Sequence, residues 1–188
     1  MQRLFPLSVI YTLLFAGVAS STTIIPPSFD ALVAGANTIF VGEVVNQQAI
    51  WVSTPQGRAI KTLVDFSVED VWKGSSGVVT RLEFLGGTIG EMTMEVVGMP
   101  TFRLGQRSVL FAHGQRGTSP LVGFMHGRLR IERDYTGVDR VRTHDGRSLG
   151  GINEIGPNRP SYMLSITPMR LADLAAAVKS LAGAARAR

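Results

Sequence analysis

Two long stretches with a period of two, separated by a turn signal, constrain this chain more than any other feature. From Thr38 to Gln48, Val41, Glu43 and Val45 alternate against Phe40, Gly42 and Val44. From Ile60 to Trp72, Leu63, Asp65, Ser67 and Glu69 alternate against Val64, Phe66 and Val68. Side chains that change sides at every residue belong to a strand; a helix would scatter the same pattern around its surface. Between the two, Ser53-Thr54-Pro55-Gln56-Gly57 reads as a hairpin turn.

The same reading extends along the chain. Ser28 is placed to cap a short helix from Phe29 to Ala36, with Asp30 in its first turn, where an acid complements the helix dipole. Lys73-Gly74-Ser75-Ser76-Gly77 turns the chain into a third strand, Val78 to Leu85. Strands are expected from Glu91 to Val97, Gln106 to Ala112, Leu121 to Met125 and Gly127 to Arg133. Tyr135-Thr136-Gly137 turns into a last hairpin arm, Val138 to Thr143. Residues 146–160 read as loop. Thr167-Pro168 reads as N-cap and first turn of a closing helix, with Gly183 as its stop. Short strands, 21 glycines and a helix at each end predict a mainly β fold: a small OB-like or netrin-like β-barrel with a short N-terminal and a C-terminal helix. The expected division is 1–21 signal peptide, 22–145 barrel, and 146–188 loop with a helix that packs on the barrel or trails it.

The first residues carry the export expectation. Met1-Gln2-Arg3 is a positive start, Leu4 to Val18 is apolar apart from Ser8 and Thr12, and Ala19-Ser20-Ser21 supplies small residues for cleavage. The apolar run falls short of the roughly 20 residues of a membrane span. A periplasmic or extracellular destination is expected, with no stable membrane span after cleavage. The chain has no cysteine, which excludes disulfide staples, thiol catalysis and thiolate metal sites.

The formal charge of +5 is unevenly spread. Residues 22–102 hold 4 Lys and Arg against 8 Asp and Glu, whereas residues 103–188 hold 14 against 6. Arg128, Arg130, Arg140 and Arg142 alternate on two adjacent expected strands and predict an outward basic ladder, a candidate surface for an anionic glycan or lipid. Without interleaved aromatics it is no nucleic-acid platform.

Several segments together resemble a family of uncharacterised exported bacterial proteins. They are Asp30-Ala31-Leu32-Val33 leading to Ile39-Phe40-Val41-Gly42-Glu43-Val44, then Val68-Glu69-Asp70-Val71-Trp72-Lys73-Gly74, Leu85-Gly86-Gly87-Thr88-Ile89-Gly90, Val97 to Gln106, and Val122 to Leu129. The resemblance covers roughly residues 28–135. The helix, the F-V-G-E-V strand and the strand ending in V-W-K-G are also similar to the opening of netrin-like domains, which include the tissue inhibitors of metalloproteases. That similarity implies an OB-type barrel with a binding surface. Those inhibitors chelate zinc through an N-terminal cysteine, which this chain lacks, so that mechanism is not implied.

No motif for catalysis stands out. The histidines, His113, His126 and His144, form no H-E-x-x-H pair, and a metal site would need His113 and His126 to meet in space. No G-x-S-x-G elbow is present. The expectation is therefore an exported, non-enzymatic binding module without cofactor or metal, acting on a protein partner and related to protease inhibitors or the cell envelope. The alternatives are a hydrolase whose site assembles from distant positions around His126 and an acid, or the anion binder above. The candidate binding residues are Gly86, Gly87, Thr88, Gly90, Met99, Pro100 and Phe102, with Arg128 and Arg130. The glycine loop reads as an anion-holding backbone nest or as a bend that needs positive φ. The methionines 92, 94 and 99 suit either a pliable contact surface or core.

Overall fold

The structure is a computed structural model and describes residues 24–114, 118–157 and 167–186. The expected leader lies outside the described residues.

A seven-residue helix, α1 (Phe29–Gly35), starts where the sequence places it. Ser28 caps it, its hydroxyl accepting from the Ala31 N–H at 3.2 Å. The two period-two stretches become β1 (Thr38–Thr54) and β2 (Gly57–Lys73), each 17 residues long. They pair antiparallel from Ile39↔Lys73 to Thr54↔Gly57, so Pro55-Gln56 forms the turn. Then follow β3 (Val79–Leu85), β4 (Gly87–Ile89), β5 (Met92–Met94), β6 (Arg107–Ala112), β7 (Arg128–Arg133), β8 (Asp139–Arg142) and the helix α2 (Leu171–Arg186).

Six strands form one antiparallel sheet in the order β3-β2-β1-β6-β7-β8, and β4-β5 is a separate hairpin. The mainly β reading holds, but the sheet is open: β3 and β8 are its edges and do not pair with each other. The physical reason lies in β1. A closed small barrel needs apolar side chains on its inner face only. Here Ile39, Phe40 and Val41 are all buried, on alternating faces. Ile39 and Val41 join Val109, Phe111, Leu129, Ile131 and Val141 under the helices, where Leu32 of α1 and Leu174 and Val178 of α2 are fully buried. Phe40 and Val44 join Val64, Phe66, Leu82, Phe84 and Leu110 on the opposite face, beneath Phe102 and Leu121. The sheet is the middle layer between two cores, and α2 belongs to the first of them.

Other expectations are revised. Leu121–Met125 is not a strand: Gly123 and Phe124 take φ of +65° and +58°, and a 3₁₀ turn runs from Phe124 to Gly127. The expected Glu91–Val97 strand is the shorter β5, and the glycine loop before it starts β4. The closing helix starts at Leu171 rather than Pro168, because Arg170 bridges to Arg140 of β8. It also runs through Gly183. None of the described helices is long and apolar enough to cross a membrane.

Candidate functional site

The second face of the sheet carries the candidate site. β3 leaves the sheet at Gly86, whose N–H donates to the Ile60 carbonyl at 2.7 Å. The Thr62 hydroxyl donates to the Gly86 carbonyl at 2.7 Å and fixes the exit. At Gly87 the chain folds back with φ of +139°, in a space where a Cβ would lie 2.3 Å from the Thr62 hydroxyl oxygen. Only glycine fits that conformation and that gap. The β4-β5 hairpin therefore lies over β1 and β2. Met94 closes its return, with Sδ 3.4 Å from the Ile60 nitrogen. The chain then runs irregularly to Phe102, which drops into the core against Phe66 and Phe84 at ring separations of 5.2 and 4.9 Å.

A cavity of about 690 Å³ remains between the sheet and this overlying segment. Ala49, Val64 and Phe84 of the sheet line it together with Met94, Val96, Met99 and Phe102. Gln47, Gln48, Thr62, Thr88, Thr93 and Thr101 bring amides and hydroxyls to its lining, and Glu95 is the single charged group among the described lining residues. The volume is that of a ligand or side-chain binding site.

Of the residues singled out in the sequence, Gly86, Gly87, Thr88, Met99, Pro100 and Phe102 line this cavity. The glycine loop makes the bend, with positive φ at Gly86, Gly87 and Gly90 and the Gly86 N–H committed to the ladder. Gly90 sits at the hairpin tip with open space around it and does not line the cavity. The methionines divide: Met92 is 61% exposed, whereas Met94 and Met99 line the cavity.

Arg128 corrects the outward ladder. It is 3% exposed, inside the second face. Its guanidinium lies 4.4 Å from the Phe102 ring centre, donates to the Thr101 carbonyl, and donates to the Ser108 hydroxyl at 3.1 Å. Burial, with neighbouring Arg130, pushes its pKa down to about 10. Arg128 thus pins the cavity wall to the sheet rather than presenting charge. Arg130 lies outside the cavity, 3.1 Å from Glu132, and Arg142 reaches the same carboxylate at 2.6 Å. Arg140 pairs with Asp134 at 2.7 Å, and Arg107 bridges Glu69 and Asp139. The basic half therefore offers its strand arginines largely in pairs.

A second, smaller cleft of about 200 Å³ is lined by His126, His144, Arg128, Arg147 and Glu154. His126 meets His144, with rings 5.1 Å apart edge to face; His113 is not in this cleft. An acid and His126 do share a cleft, as the hydrolase alternative requires. Among the described lining residues the one hydroxyl, Thr143, donates to Asp145 and accepts the Arg147 N–H at 3.0 Å, so it is committed to its own turn. Among the described residues no group of three or more metal-ligating side chains forms.

Burial lowers the pKa of both histidines, partly opposed by Asp145; proximity to each other lowers His144 further. A histidine that resists protonation when folded makes the unfolded chain the better proton acceptor. Stability is then full above the ordinary histidine pKa of about 6.5 and declines as pH falls through it. The melting temperature is expected to drop between pH 7.5 and pH 5. His126→Gln should flatten part of that slope in a pH series of thermal melts; an unchanged slope would disprove the assignment.

Sequence reasoning missed the cavity's far wall. Gln47, Gln48, Ala49 and Thr62 come from the distal half of the β1-β2 hairpin, and Ser108 anchors Arg128 from β6. The one local signal was the polar run Asn46-Gln47-Gln48 inside a strand pattern.

No protein-family model matches the chain, and no curated protein or solved structure is similar enough to match it.

Proposed function

We propose that this chain is an exported binding module whose cavity takes apolar side chains from an extended segment of a protein partner. The observation that carries this reading is the 690 Å³ cavity, walled by Met94, Val96, Met99 and Phe102 and edged by neutral amides and hydroxyls. Apolar anchors set in such a site supply affinity, and the polar edge suits a peptide backbone. Methionine walls repack around different side chains. The described lining residues all fall within 47–102, the half that carries the acidic excess, and include Glu95, so the preferred segment is neutral or basic. Export rests on the leader pattern of residues 1–21. The netrin-like similarity enters as a proposal about design: a hairpin and an irregular segment laid over one face of a twisted sheet hold a partner, and no reaction centre is needed.

Panning a displayed library of extended peptides on the purified protein tests this. Enriched peptides should carry an apolar anchor, and Met99→Asp should weaken them at least about tenfold while the melting temperature stays close to wild type, because Met99 is half-buried at the cavity rather than in the core centre. Peptides that bind Met99→Asp as tightly as wild type would sink the proposal.

A further inference from the structure

The two edges of the sheet are treated differently. β8 is covered: Arg140 and Arg142 bridge to Arg170 and Ser148, and the Val141 N–H donates to the Met169 carbonyl at 3.0 Å. β3 pairs with β2 and, among the described residues, with nothing on its other side. Bonds at the two ends settle which of its residues face outward. Gly86 N–H to Ile60 O and Val68 N–H to Val78 O make the even-numbered positions the ones bonded to β2. In an antiparallel ladder the direction alternates, so the N–H and C=O groups of Val79, Arg81, Glu83 and Leu85 point away from the sheet. An exposed row of this kind is a template for another strand.

The side chains on that row are self-complementary. Let a second copy pair antiparallel about a two-fold axis at Leu82. Arg81 then faces Glu83 of the second copy, and Val79 faces its Leu85, each twice by symmetry. On the other face Leu82 meets Leu82. Sliding the register by two in either direction sets Arg81 against Arg81 or Glu83 against Glu83, so charge selects a single register. Each copy's own charges extend the alternation. Asp65 lies 2.6 Å from Arg81, which it engages through Nε and Nη2, leaving Nη1 for the second copy. Lys61 lies 3.1 Å from Glu83. Across the junction the order runs Asp65, Arg81, Glu83, Lys61, with signs alternating. Val79 is 55% exposed in the single chain and would be covered.

We propose that β3 is a homodimer interface, joining two six-stranded sheets edge to edge through residues 79–85. This is independent of what the cavity binds.

Sedimentation of the purified protein across a concentration series tests it. The wild type should dimerise. Glu83→Arg sets like charges opposite each other twice and should weaken the dimer roughly tenfold. Arg81→Glu should do the same. An equimolar mixture of these two variants restores both opposite-charge pairs and should re-form a dimer. Val79→Lys changes an exposed side chain and should weaken the dimer while leaving the melting temperature of the dilute, monomeric protein unchanged; circular dichroism of each variant checks the fold. In the dimer the outward amides of Arg81 and Glu83 should exchange slowly. A wild type that stays monomeric at high micromolar concentration would overturn the proposal. So would a dimer indifferent to Glu83→Arg and Val79→Lys, folded variants whose mixture fails to pair, or β3 amides protected only by an added peptide.

Discussion

Phe102→Ala is expected to cost about 3–5 kcal/mol of folding stability and to abolish the peptide binding proposed for the cavity. Phe102 is 8% exposed although it sits in a segment without regular structure. Its ring packs on Phe66 and Phe84 and carries the Arg128 guanidinium. Truncation opens a void in the second core and strips the apolar face from a buried cation. The segment from Met94 to Gln106 loses its main attachment, so the cavity loses a wall. Urea denaturation reads the first effect, and peptide binding well below the unfolding midpoint reads the second. A loss under about 1 kcal/mol would mean that Phe102 does not occupy this core.

Gly87→Ala is expected to cost about 1–3 kcal/mol from backbone strain, plus whatever the crowding adds. The methyl group would have to occupy space 2.3 Å from the Thr62 hydroxyl oxygen and 3.3 Å from Ile60 Cγ2, at φ of +139°. To make room, either the Thr62 hydroxyl turns away or the β4-β5 hairpin lifts from the sheet, and both break the Thr62 to Gly86 hydrogen bond. Thermal melts and hydrogen exchange at Gly86 check both parts. A variant with native stability and unchanged protection would show that the hairpin is not folded back as described.

These two residues also show how far the sequence could be read. Gly86-Gly87 was conspicuous, and the conformational reason was available, since successive glycines before a short apolar stretch mark a bend. Phe102 was conspicuous as an aromatic in an irregular run. What neither residue disclosed was its contact: Thr62 and Ile60 for Gly87, Arg128 for Phe102. Those partners lie about 25 positions away in each case, and no local period encodes such a separation. The alternation of Arg128 with Arg130 predicts an outward ladder because alternation assigns residues to two faces without saying which faces are covered. The same gap misjudged closure: Ile39-Phe40-Val41 is an uninterrupted apolar run, and such a run marks a strand buried on both faces. The long alternating stretches around it suggested one interior instead.

Local pattern determined most of the elements. The period of two set β1, β2 and β3, Ser28 set the start of α1, and the glycine and proline turns set most strand ends, because these depend on neighbours within a few residues. Tertiary structure decided the open sheet, the two cores, the burial of Arg128 and the pairing of His126 with His144. It decided the cavity as well, whose walls are brought together only when β3 exits at Gly86 and Phe102 returns to the same face. Those outcomes depend on which distant surfaces compete to bury the same apolar area, and that competition is settled by packing rather than by sequence neighbours.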